Sequence, residues 1–132
     1  METEYDQGPT ILEPDLADAI EQWTAWLKHE RRYSRHTLSA YSRDLTAFLQ
    51  FMHSRLGKKL SLADLSALQR ADYRAWLASR QAQGLKASSM ARALSVLRSF
   101  NKHLMRCEKR YSAVLSTVRS PPHAALRTEG AD

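Results

Sequence analysis

Cysteine is almost missing. Cys107 stands alone, so no intrachain disulfide can form, which fits a reducing, cytoplasmic setting. Glycine and proline occur four times each, too few for a Gly-rich phosphate loop. No uninterrupted apolar run approaches the ~20 residues of a membrane span. The N-terminal METEYDQGPT lacks the apolar core of a signal peptide, and no membrane partner is expected. The five histidines (His29, His36, His53, His103, His123) are scattered, with no HxxxH and no CxxC. Neither a metal nor another cofactor is therefore expected. His103 lies one helical turn before Cys107, but no third group completes a nucleophile, and the thiol reads as packed or idle. Nothing resembles an autonomous active site, so the chain reads as non-catalytic.

Acidic residues are missing from one long stretch. Between Asp72 and Glu108 there is no carboxylate, while seven Lys and Arg occur. Residues 1–21 hold seven acids and no Lys or Arg; the remainder carries +13, and the chain as a whole +6. A solvated surface usually mixes both signs. A one-signed surface suits a polyanion, and nucleic acid is the natural one.

Strand-like alternation is also missing. What is there is helical spacing over 132 residues, the size of one domain. Pro14 and Asp15 open a first helix with Leu16, Ile20, Trp23 and Leu27 on its apolar stripe and Trp26 alongside; it fades near residues 30–33. Ser34 is a suitable N-cap for a second, with Leu38, Tyr41, Leu45, Phe48 and Met52 inward and Gly57 as its stop. KKLSLADLSALQ allows a short helical turn. A third helix spans about residues 70–83, with Tyr73, Trp76 and Leu77 inward and Gly84 as its C-terminal cap. The fourth begins after Ser88 and runs to about Glu108, and Val114, Leu115 and Val118 suggest a docking turn. The expected architecture is an all-α, compact four-helix bundle over residues 14–118. A disordered acidic leader (1–13) precedes it and a linker (119–132) follows, interrupted by Pro121 and Pro122.

The fourth helix has two faces. Met90, Leu94, Leu97, Phe100 and Leu104 recur at spacings of 4, 3, 3 and 4, a core stripe. Ser88, Arg92, Ser95, Ser99, Lys102 and Arg106 form the other side, hydroxyls and cations only. Arg92 reads as a free surface cation whose removal leaves stability nearly unchanged.

YSRHTLSAYSRDLTAFLQFM (33–52) followed by ADYRAWLASRQAQGLKASSMARALSVLRSFNKHL (71–104) resembles the N-terminal core-binding domain of the tyrosine recombinases and phage integrases, closest to the bacterial Xer group, XerC and XerD. Ser34, Thr37 and Tyr41 ahead of Asp44 and Leu45 carry the likeness, with the GLKASS turn and ARALSVLRSF within the fourth helix; it covers about residues 15–121. VRSP (118–121) is similar to that family's linker toward its catalytic half. Two departures stand out: Asn101 replaces a usual aromatic, and CEKRYSAV replaces a Gly and Asn-Pro turn.

The resemblance implies a SAM-like fold forming half of a C-shaped clamp on duplex DNA, with the second and fourth helices across the major groove. It implies a role in DNA recombination and, for Xer proteins, chromosome partition at cell division. The catalytic half would lie beyond this chain, and none of the five tyrosines is assigned as its nucleophile. Partners would be double-stranded DNA and, in the synaptic complex, other recombinase protomers; the isolated domain is expected to be monomeric. Thr37 falls at the family's backbone-contacting threonine. Arg35, His36 and Arg43 share its helix, and Arg43 faces away from Leu38 and Leu45. Lys86, Ser88 and Ser89 lie at the start of the fourth helix, where free backbone N–H groups favour an anion, and Arg92 follows one turn on. These eight are the candidate DNA-binding residues. Arg98 and Lys102 rank lower, as flank. Trp26 is read as core, with a protomer contact as the other option. The rival reading of the whole is a helical protein–protein interaction module.

Overall fold

The computed structural model describes residues 11–119. Five α-helices follow in order: α1 (Pro14–His29), α2 (Arg35–Leu56), α3 (Leu62–Ser66), α4 (Arg70–Ala82) and α5 (Ala87–Arg106), then a 3-10 turn over Leu115–Thr117. The short α3 is the helical turn expected in KKLSLADLSALQ, so the fourth long helix is α5. The described residues form an all-α, SAM-like bundle, as the spacing and the resemblance implied.

Local chemistry sets most boundaries. Pro14 occupies the first turn of α1, where its missing N–H costs nothing. The Ser34 hydroxyl accepts the Thr37 N–H at 3.2 Å and so caps α2. Gly57 ends that helix at a left-handed φ of 70°. Ser61 and Asp64 cap α3 reciprocally, Asp64 N–H to Ser61 Oγ at 3.1 Å and Ser61 N–H to Asp64 Oδ2 at 2.9 Å. After α4, Gly84 takes φ 88°; its N–H reaches Gln81 O at 2.9 Å and the Leu85 N–H reaches Arg80 O at 3.2 Å, a Schellman ending. The chain then turns at once, so α5 starts two residues earlier than expected. Lys86, not Ser88, is its N-cap residue.

The leader is also shorter than expected at its inner end. Residues 11–13 run extended beside Leu60: Leu60 N–H donates to Ile11 O at 2.8 Å and Glu13 N–H to Leu60 O at 2.7 Å. Leu60 is fully buried, and this pairing satisfies the backbone groups its burial removes from water. The rest of the expected leader and nearly all of the linker lie outside the described residues.

Helix α5 is the hub. It packs on α1, α2, α4 and the 3-10 turn. Met90, Leu94, Leu97, Phe100 and Leu104 are all buried, as their spacing predicts. Trp23 of α1 packs edge-on against Phe100 at 5.3 Å, stacks near Tyr41 of α2, and donates its Nε1–H to Ser99 Oγ at 3.3 Å. Phe48 meets Trp76 edge-to-face at 5.1 Å and lies parallel to Tyr73. Asn101, the departure from the family pattern, ties the C-terminal segment down. Its amide donates to Ser112 O at 2.9 Å and accepts the Ser112 N–H at 2.8 Å. Arg70 reaches Thr117 Oγ1 and Arg98 reaches the Val118 carbonyl, while Leu115 and Val118 are buried. These bonds form a polar clasp on the segment after α5.

Leu94 sits at the centre of the hub with 1% of its surface exposed. Leu94→Ala should lower unfolding free energy by about 2–5 kcal/mol through the cavity it leaves; urea denaturation of the two chains checks this.

Candidate nucleic-acid interface

The α2–α5 pair builds the candidate surface. Trp23 bridges Tyr41 to Ser99 and Phe100, whereas Asp44 meets Arg92. Going up α2 therefore means going down α5, and the helices run in opposite directions. Arg35, His36 and Thr37 lie at the end shared with the second half of α5; Lys86, Ser88 and Ser89 lie at the other. At ~1.5 Å per helical residue, the steps from Thr37 to Asp44 and from Arg92 back to Lys86 set these ends roughly 20 Å apart. The structure thus distributes the expected contacts along a strip instead of gathering them in a pocket.

Each helix shows this strip one polar face. On α2, Arg35, His36, Ser39, Ser42, Arg43, Thr46 and Gln50 are exposed, and Ser39, Ser42, Arg43 and Thr46 line a shallow groove. On α5, Ser88, Arg92, Ser95, Lys102 and Arg106 are exposed at spacings of 4, 3, 7 and 4. Neither helix exposes an acid: α5 has none, and the only one on α2, Asp44, is buried. Of the exposed acids among the described residues, Asp15, Asp18 and Glu21 sit on α1, and Glu30 and Glu108 follow the ends of α1 and α5. Thr37 and Ser89 are half-buried, and the Thr37 hydroxyl accepts from Ser34 Oγ at 3.1 Å. Lys86 is exposed, and no side chain caps the first N–H groups of α5. Among the described residues, Arg43 and Lys102 form no ion pair.

Arg92 is not the free cation its sequence position suggests. Its Nε donates to Asp44 Oδ2 at 2.9 Å and its Nη2 to Asp44 Oδ1 at 3.2 Å. These bonds and the carboxylate charge hold the guanidinium pKa above its ordinary value. Half of the Arg92 side chain stays exposed, but Asp44 is 5% exposed. A signal for this pairing existed: Asp44 is the only acid between Glu30 and Asp64, and it falls on the apolar stripe, three residues after Tyr41 and four before Phe48. A carboxylate there needs a cation from another element.

A second basic groove, not anticipated as a unit, lies at the far end between the end of α1 and α5. Arg31, Arg98, Lys102 and Arg106 line it with Trp26 and Tyr33. Trp26 is half-buried, and the Arg106 guanidinium covers its ring at 4.2 Å. His103, buried beneath, has its pKa lowered by burial first and then by Arg106 and Lys109. Cys107 is exposed, with its Sγ 3.7 Å from His103 Nε2.

The geometry defines a class of module: an α-helical bundle that turns two antiparallel, acid-free helix faces outward. Comparison with known proteins makes the class specific. Residues 20–108 match the family described as phage integrase, N-terminal SAM-like domain, and the chain belongs to that family. Relatives include the tyrosine recombinase XerC of Methylobacterium nodulans, 45% identical over 82% of this chain and 33% of that protein. The Rhodospirillum centenum XerC is 39% identical over 83% of this chain and 32% of its own length. The Agrobacterium fabrum XerC is 36% identical over 92% and 38%. The chain thus spans about a third of the curated relatives it matches, and corresponds to their N-terminal part. No solved structure matches it.

Two outcomes follow for this surface. Arg92→Ala strands the Asp44 carboxylate in a buried site and should cost about 1–3 kcal/mol, in contrast to the near-zero effect expected of a surface cation. Combining it with Asp44→Ala should cost less than the sum of the single changes, measured as a double-mutant cycle by denaturant titration. The depressed His103 pKa means the unfolded state takes up this proton first as pH falls. Its contribution is complete above ~6.5, the ordinary imidazole value, and is lost as pH drops through the lower folded value. Melting temperature should begin to fall below pH ~6.5, and His103→Gln should flatten that first decline.

Proposed function

We propose that this chain is the DNA-binding part of a Xer-like site-specific tyrosine recombinase, and that it holds one side of duplex DNA through α2 and α5. The observation that carries the reading is the shared strip: two antiparallel helices, each exposing hydroxyls and cations and no acid. Its length of roughly 20 Å corresponds to about six base-pair steps at ~3.4 Å each. Arg35, His36 and Thr37 engage phosphates at the start of α2, where N–H groups point outward. Lys86, Ser88 and Ser89 do the same at the start of α5. Between them, Arg43 takes a phosphate at the groove edge and Arg92 reaches into the groove. Short hydroxyls at Ser39, Ser42 and Ser95 let the backbone come close. A catalytic half elsewhere in the parent protein supplies strand cleavage and completes the clamp, and recombinase protomers meet in the synaptic complex. The chain alone is a monomer, acts in the cytoplasm and cuts nothing.

The rival, a protein–protein module, calls for a contiguous apolar patch. The exposed large apolar residues among those described are Leu56, Met105 and Tyr111; Leu56 ends α2, away from the other two. That scatter favours the DNA reading.

Binding of a random-sequence duplex, followed by fluorescence anisotropy across a salt series, is the test. Affinity should fall with a log–log slope of about −3 or steeper, near −0.9 per phosphate neutralised. Arg43→Ala and Lys86→Ala should each flatten the slope by about one unit. A slope near zero would contradict the proposal. Incubation with a nicked suicide duplex should leave no protein–DNA adduct on any tyrosine.

A further inference from the structure

The Asp44–Arg92 pair carries an inference that rests on the DNA-binding reading and sharpens it. A guanidinium has five N–H donors in a rigid fork. Asp44 takes one from Nε and one from Nη2. Three donors are left over, two on Nη1 and the second on Nη2, and one from each nitrogen lie side by side on the outer edge of the fork. The Arg92 side chain is 49% exposed while its partner is 5% exposed, so the carboxylate grips the guanidinium from within. Two N–H groups of fixed direction at a groove-facing surface match the adjacent O6 and N7 acceptors of guanine.

Charge argues the same way. The pair is close to neutral, so it offers a phosphate little net attraction, and Asp44 stands directly behind the guanidinium to oppose one. Arg43 and Lys102 carry no such partner among the described residues and are the better phosphate anchors. A buried ion pair is also a poor source of stability compared with apolar packing. Placing an acid on the apolar stripe of α2 is better explained by what it does to Arg92.

We propose that Asp44 is a positioning residue that makes Arg92 a reader of one guanine instead of a phosphate contact. The experiment uses the 132-residue chain and a duplex library with a randomised core, selected over several rounds and sequenced. The unaltered chain, Arg92→Lys and Asp44→Asn are compared, with circular dichroism melts showing that each is folded. The unaltered chain should enrich a G·C pair at one position, with replacement of that pair costing about 5- to 150-fold in affinity. Arg92→Lys keeps the charge but loses the fork. It should keep its salt slope and lose the preference at that position alone. Asp44→Asn should weaken the same preference and steepen the salt slope, because Arg92 regains a net charge. A tie that only joins helices would lower affinity evenly and leave base preference untouched. Retention of the G·C preference in Arg92→Lys, or steep salt-dependent binding with no preference in the unaltered chain, overturns the proposal while leaving DNA binding intact. Absence of DNA binding in the unaltered chain overturns both.

Discussion

Helix α5 has neighbours on three sides, and that constraint organises the molecule. With α1, α2, α4 and the 3-10 turn packed around it, α5 retains a single stripe for solvent. The Leu94–Leu97–Phe100–Leu104 side fills the core, and burial of such side chains, ~1.5–3 kcal/mol each, drives the assembly. Trp23 sets the relation of α1 and α2 to this hub by touching both Tyr41 and Phe100. Once α2 lies antiparallel against α5, their polar faces adjoin, and the cations of both helices form one strip. The surface is thus a consequence of the packing, not a separate feature added to it.

The charge layout follows the same geometry. Asp15, Asp18 and Glu21 gather in the first half of α1, while the exposed faces of α2 and α5 carry cations and no acid. Membership in the phage integrase N-terminal SAM-like family is consistent with such a surface. The chain spans about a third of the length of its XerC relatives.

Most of the fold was legible in the sequence because its signals are local. The apolar spacing of α5, the Ser34 cap and the left-handed Gly84 each act within one turn of chain. The features that escaped are long-range. Arg92 and Asp44 are 48 positions apart, and only the fold brings them together. The docking of residues 11–13 on Leu60 depends on a partner distant in sequence and carries no alternation that would announce a strand. Asn101 looked like a departure from a family pattern, and its clasp on Ser112 is visible only once the chain has turned back. The early start of α5 is a smaller miss: Ser88 has the chemistry of an N-cap, but the Gly84 ending of α4 leaves Lys86 in that position. Among the candidate site residues, sequence position correctly put Arg35, His36, Arg43, Lys86 and Ser88 on the surface. An acid on the apolar stripe of α2 signals that a cation must reach Asp44, but nothing local says that the cation is Arg92.

The central claim is that the shared α2–α5 strip, and no other face, meets duplex DNA. Amide chemical-shift mapping during titration of the ¹⁵N-labelled chain with a short duplex tests it most directly. The account predicts shifts at residues 35–37, 39, 42, 43 and 46 of α2 and at 86, 88, 89, 92 and 95 of α5, with the α1 residues Asp15, Asp18 and Glu21 unmoved. Shifts centred on α1, or confined to the Leu56 end of α2, would contradict it.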